Sequence, residues 1–104
     1  MIRKQRLNGD RVVLVTFELP TVIGGEHACL VGDFNAWNQN DTPMYRNGND
    51  TWHITLPLKA GHDFQFRYLV DGQRWYNDWE ADNYVPNPYG GKNSVVTTKP
   101  DRPA

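Results

Sequence analysis

The chain has 104 residues, with Lys+Arg 11 against Asp+Glu 12 for a formal net charge of -1, and one cysteine. That length suits one domain with a real but modest core, expected here as a single unit over residues 1–104 with its core at about 11–98 and frayed ends. Near-neutral charge removes the electrostatic footprint of a nucleic-acid partner, the lone cysteine excludes a disulfide scaffold, and no segment has the apolar length that spans a bilayer, so no membrane partner is expected.

At the amino terminus Arg3-Lys4-Gln5-Arg6 carries positive charge with no apolar stretch behind it. It reads as a solvated terminus, without a signal peptide, in a cytoplasmic protein. Val13, Val15, Phe17 and Leu19 then alternate with Leu14, Thr16 and Glu18, the period of a strand with one face on a core. Ile23-Gly24-Gly25-Glu26 is a turn, and Ala28 to Val31 is a short strand that holds Cys29 as a buried, inert thiol. Asn47-Gly48-Asn49-Asp50 is a second turn before Trp52, Ile54, Leu56 and Leu58, again alternating. Lys59-Ala60-Gly61-His62 separates this run from Phe64, Phe66, Tyr68 and Val70 and reads as a hairpin. Asp71-Gly72 permits the positive φ angles of a two-residue hairpin loop. Val85 to Gly91 contains two prolines and two glycines and reads as a loop. Val95 and Val96 make a final strand, and the tail from Lys99 to Ala104 reads as frayed. No segment has a helical period, and short strands at regular spacing predict an all-β antiparallel sandwich.

Few residues suggest catalysis. Asp78, Glu80 and Asp82 alternate and so share a face, but a small sandwich offers little material for a cleft that would hold one of them protonated; they read as loop solvation and turn formers. His27, His53 and His62 lie on different elements without ligand spacing, so no metal is expected. Gly90-Gly91-Lys92-Asn93-Ser94 leads into a strand and lacks the spacing of a phosphate loop. The aromatics, 4 Trp, 5 Tyr and 4 Phe, are the larger signal. Phe17, Trp52, Phe64, Phe66 and Tyr68 occupy alternating positions and belong to the core. Trp37, Trp75 and Trp79 lie in polar, turn-like surroundings. Each either caps an end of the sandwich or offers a flat apolar face on which a pyranose ring can stack, with rim hydroxyls bonded by amides and a cation.

The order of motifs carries a resemblance. Val31-Gly32-Asp33-Phe34-Asn35-Ala36-Trp37-Asn38 is followed by Pro43-Met44, Gly48 four residues before Trp52, Phe64 to Gly72, Trp75, Asn77-Asp78 and Asn93-Ser94-Val95-Val96. From about Val12 to Val96 this resembles the isoamylase N-terminal or early set domain, family 48 of the carbohydrate-binding modules, and is similar to the glycogen-binding domain of AMP-activated kinase beta subunits. The resemblance implies an immunoglobulin-like β-sandwich that binds α-1,4-linked glucans (glycogen, starch or maltooligosaccharides) without catalysis or cofactor. Such a domain is usually attached to a glycoside hydrolase, a branching enzyme or a kinase regulatory subunit. By position, Trp37 and Trp75 match its stacking tryptophans, Arg67 a hydrogen-bonding lysine and Asn93 an asparagine donor, with Tyr89 and Trp79 as further stacking candidates. The sequence departs from the pattern at Arg67, at Tyr89 and Gly91 where relatives have leucine and threonine, at the inserted Arg74, and at Trp79 where proline is common. The alternative implied by the resemblance is a module that docks on a glucan-active enzyme and binds no sugar itself.

Overall fold

The computed structural model describes residues 2–7, 11–20, 24–46 and 51–100. In chain order its strands are β1 (Ile2–Arg6), β2 (Val12–Pro20), β3 (Ala28–Gly32), β4 (Tyr45–Arg46), β5 (Thr51–Lys59), β6 (Asp63–Val70), β7 (Arg74–Tyr76), β8 (Asn83–Pro86) and β9 (Lys92–Thr97). They form two antiparallel sheets, one ordered β1-β2-β5-β4 and the other β3-β6-β9-β8 with β7 also paired to β6. The result is an immunoglobulin-like β-sandwich.

The period-two runs are the strands. Val13, Val15, Phe17 and Leu19 of β2 are all at most 2% exposed. They meet Trp52 and Leu58 of their own sheet and Leu30, Phe66, Tyr68, Val70 and Val96 of the other. Phe17 packs edge-on to Phe66 at 5.0 Å, and Phe66 to Tyr68 at 5.6 Å, so the two sheets share an aromatic centre.

Several expectations change. β5 and β6 belong to different sheets, so 59–62 is not a hairpin loop but the crossing from one sheet to the other. Its backbone is held by the neighbours it passes: Ala60 N donates to the Arg11 carbonyl and Gly61 N to the Thr98 carbonyl. Alternation reports which face of a strand is buried, not which strand lies beside it. Arg3 to Arg6 are exposed, as expected of a charged run, yet they form β1. Lys4 Nζ meets Asp82 Oδ2 at 2.7 Å, and Arg6 donates to the carbonyls of Thr98 at 3.0 Å and Lys99 at 2.6 Å, tying this edge strand to the opposite sheet. The Asp71-Gly72 loop spans three residues, since Val70 pairs with Arg74, although both named residues do have positive φ, 53° and 69°. The turn at 47–50, Ile23 and the tail at 101–104 lie outside the described residues.

Asp78 is not a solvated loop acid. It is 2% exposed. One carboxylate oxygen accepts the Tyr68 hydroxyl at 2.6 Å and the other accepts Glu80 N at 2.7 Å, while its own N–H donates to Ser94 Oγ. Burial first, and then the Asp78 charge, push the Tyr68 hydroxyl well above its ordinary pKa. Asp78 therefore anchors the segment after β7 to the core. No helix among the described residues is long and apolar enough to cross a membrane.

Candidate functional site

The outer face of the β3-β6-β9 sheet is unusual in being partly apolar. Phe66, Tyr68 and Val70 point into the core, which turns Gln65, Arg67 and Leu69 outward. Registers place Val31 beside Arg67, Val95 beside Gln65 and Trp75 beside Leu69. Val31, Leu69 and Val95 are at most 6% exposed but stand outside the inter-sheet core cluster, so they form a second, smaller floor on this outer face.

A wall of this face grows from the segment after β3. Gly32 lies so close to β6 that a Cβ would sit 2.5 Å from the Gln65 carbonyl oxygen. A 3-10 turn at Asp33–Asn35 follows. The Asn35 side chain then knits the corner, accepting Gly32 N and donating to the Leu30 carbonyl and to Thr42 Oγ1. Ala36 and Trp37 both take left-handed backbone, φ 56° and 58°, which costs an L-residue about 1–2 kcal/mol each. Three bonds hold them there: Trp37 N to the Gly32 carbonyl at 2.9 Å, Asn38 N to the Asn35 carbonyl at 3.1 Å, and Trp37 Nε1 to Asp33 Oδ1 at 2.9 Å. The other Asp33 oxygen accepts Gln65 N at 2.7 Å, so one carboxylate fixes the indole to β6.

A groove of about 720 Å³ lies on this face, and among its lining residues are Trp37, Arg67, Trp75, Tyr89 and Asn93. Five of the six residues singled out from the sequence are thus brought together from four separate segments. Trp79 is not among them; it is 62% exposed and lines a different, shallow depression with Pro20, Tyr68 and Asp78. Trp37 is half-buried, while Trp75 and Tyr89 are 36% and 94% exposed. The Arg67 guanidinium lies over the Trp75 indole at 5.7 Å, and its buried Nε–H has no hydrogen-bond partner among the described residues. Arg74, the inserted residue, turns to the opposite side of β7 from Trp75, where it meets Asp71 at 3.5 Å and lies over the Tyr76 ring.

Gln65, Gln39, Asn87 and Pro88 also line the groove and were missed in the sequence. Gln65 was findable, because it lies two residues before Arg67 on one strand and so shares its face. Asn93, only 8% exposed, donates to Gln65 Oε1 at 3.1 Å and accepts from Asn87 Nδ2 at 3.2 Å. Each amide nitrogen carries two hydrogens, so this chain of amides keeps donor capacity toward the groove. Asn87 Oδ1 meanwhile accepts Tyr89 N and Gly91 N, which fixes the loop that presents Tyr89. Among the described residues, no acid, histidine or cysteine lines the groove. No group of three or more His, Cys, Asp or Glu side chains suited to a metal occurs among the described residues.

Residues 24–90 match carbohydrate-binding module 48 (isoamylase N-terminal domain). A 1,4-alpha-glucan-branching enzyme from Emericella nidulans is 39% identical over 57 residues, covering 47% of this chain and 8% of the enzyme. Among solved structures, enterochelin esterase from Shigella flexneri superposes with a TM-score of 0.73 at 16% identity over 93% of this chain and 32% of its own. The enterobactin esterase of the same organism gives 0.72 at 16% identity over 98% and 34%. At that identity the likeness to the esterases is one of fold, and the chain spans 8%, 32% and 34% of the three relatives' lengths. The match over residues 24–90 takes in more than half of the sequence and all the groove segments except β9, and the chain belongs to the carbohydrate-binding module 48 family.

Proposed function

We propose that this chain binds α-1,4-linked glucan non-catalytically in the groove between Trp37 and Trp75. The observation that carries the reading is the convergence of two tryptophans, one tyrosine, one arginine and a chain of amides on one accessible face. Indole faces desolvate the C–H faces of glucosyl rings, and Arg67 and Asn93 donate to the hydroxyl rims. Arg67 steadies the plane of Trp75 from one side. Tyr89, presented by Asn87, closes on the chain as a third ring. Two stacks of about 1 kcal/mol each beyond area burial, plus a few hydrogen bonds, give a Kd on the order of 10 μM to 1 mM. Titration calorimetry with maltoheptaose, alongside tryptophan fluorescence, tests this: heat and a fluorescence change are expected, and silence in both at millimolar sugar overturns it.

A second reading rests on Trp79, whose indole is largely exposed away from the groove, and on the branching enzyme, a far longer chain that carries a similar segment. On that reading the chain docks on a glucan-active enzyme. Native gels with and without embedded glycogen separate the two: retardation by glycogen alone supports the sugar site, and unaltered mobility leaves the docking role.

A further inference from the structure

A second depression, of about 470 Å³, opens on the same sheet face. Its lining includes His27, Cys29, Gln39, Asn40, Leu69 and Asp71. Gln39 lines the first groove as well, so the two hollows share a wall. They also succeed one another along β6: Gln65 and Arg67 floor the first and Leu69 the second, with Asp71 just beyond the strand's end. At about 3.4 Å per residue, the stretch from Gln65 to Leu69 spans roughly 14 Å. Trp75, paired with Leu69, stands where one passes into the other.

The rim of the second hollow is rigid. Asp71 Oδ1 accepts the backbone N–H of both Glu26 and His27 at 2.9 Å, and those two bonds hold its carboxyl below the usual carboxylate range. Gly25 is packed so tightly behind them that a Cβ there would lie 2.5 Å from Val70 Cγ1. The hollow therefore exists before any ligand arrives, as binding sites usually do. Its floor is half-apolar, from Leu69 and Cys29, and its rim offers the amides of Gln39 and Asn40 and the His27 imidazole, the mixture that suits a sugar ring.

We infer that the two hollows are one trough, and that the second takes the further glucosyl units of the same chain that the first groove binds. The inference rests on the proposed function and adds a length requirement to it. Short chains fill the Trp37–Trp75 groove alone, and longer ones continue past Trp75 to His27 and Asn40.

Cys29 is the only cysteine, half-buried in the second hollow, and burial raises its thiol pKa. It is a built-in reporter. At alkaline pH, saturating maltoheptaose is expected to slow its alkylation by iodoacetamide several-fold, while saturating maltotriose leaves the rate unchanged. In calorimetry, His27→Ala/Asn40→Ala protein is expected to keep wild-type affinity for maltotriose within twofold and to bind maltoheptaose at least fivefold more weakly than wild type. Wild-type affinity of the double variant for both sugars, or equal alkylation rates with both, overturns the trough and leaves the first groove standing. Silence of the wild-type protein toward maltoheptaose itself overturns both.

Discussion

Asp33 is not itself among the groove-lining residues, yet it should govern affinity through Trp37. Its two oxygens bond Trp37 Nε1 at 2.9 Å and Gln65 N at 2.7 Å. Asp33→Ala frees the indole, which must then be ordered on binding, at about 0.5–1.5 kcal/mol for one side chain. That corresponds to a Kd about 2- to 13-fold weaker. Loss of two hydrogen bonds to a carboxylate in an exposed corner should also lower stability by about 3 kcal/mol, each bond taken at the low end for charged acceptors. Stability and affinity are separated by a double-mutant cycle with Trp37→Phe, which keeps a stacking ring but removes the N–H donor. Maltoheptaose calorimetry on the four proteins, with urea unfolding run in parallel, gives both quantities. If Asp33 acts by positioning Trp37, adding Asp33→Ala to Trp37→Phe protein weakens binding by less than half of its effect on wild type. Effects on Kd that simply multiply would refute the positioning argument, whatever happens to stability.

Three further outcomes follow from the packing. Tyr68→Phe removes a buried bond to the Asp78 carboxylate, a loss of about 1.5–3 kcal/mol, readable as a urea midpoint shift with maltoheptaose affinity held within twofold. Because the Tyr68 pKa is raised on folding, its contribution is intact below the unfolded value of about 10 and lost as pH climbs beyond it, so alkaline unfolding should be shallower in Tyr68→Phe. Gly32→Ala sets a methyl against the Gln65 carbonyl and Phe66 Cβ and should destabilise by about 1–3 kcal/mol by forcing β3 from β6, which thermal melts would register. Asp71 has a lowered pKa, so its stabilising effect is present above about pH 4 and disappears as pH falls through the folded value. Thermal melts of Asp71→Asn against wild type between pH 2 and pH 5 should show a flatter acid limb, and identical limbs would count against the two backbone bonds as the cause.

The strands were legible because the core alternates without interruption in β2, β5 and β6, and alternation is what a half-buried strand writes into sequence. Pairing was not. Nothing in Lys59 to His62 distinguishes a hairpin from a crossing between sheets, since the partners that decide it, Arg11 and Thr98, are distant in sequence. β1 was hidden for a related reason: an edge strand paired on one side to β2 needs no apolar face, so Arg3 to Arg6 carry the composition of a solvated end. Asp78 looked like a surface acid because the groups that bury it, Tyr68 and Ser94, come from other strands. In the candidate site the aromatic members stood out against polar surroundings, whereas Asn87 and Gln39 are ordinary polar residues whose placement follows only from the fold. The same holds for Leu69, whose position in the strand period points to solvent and whose burial depends on what covers it from outside.

The features of this face that do not stabilise the chain are concentrated together. Ala36 and Trp37 hold left-handed backbone that L-residues avoid. The Arg67 Nε–H is buried without an acceptor among the described residues, and an unpaired buried donor costs about 1–3 kcal/mol when neutral and more when charged. Tyr89 is 94% exposed and Trp75 36%, so their rings leave apolar area in water that burial elsewhere would have turned to stability. A tryptophan serving only as a plug would need none of this, since Trp52 shows what a plug looks like at 1% exposure and on regular strand backbone. Strain and exposed aromatics that share one surface are retained when a ligand recovers them. On the proposed function, the exposed rings are the part a ligand recovers, since the indoles and the phenol offer flat apolar faces to the C–H faces of sugar rings.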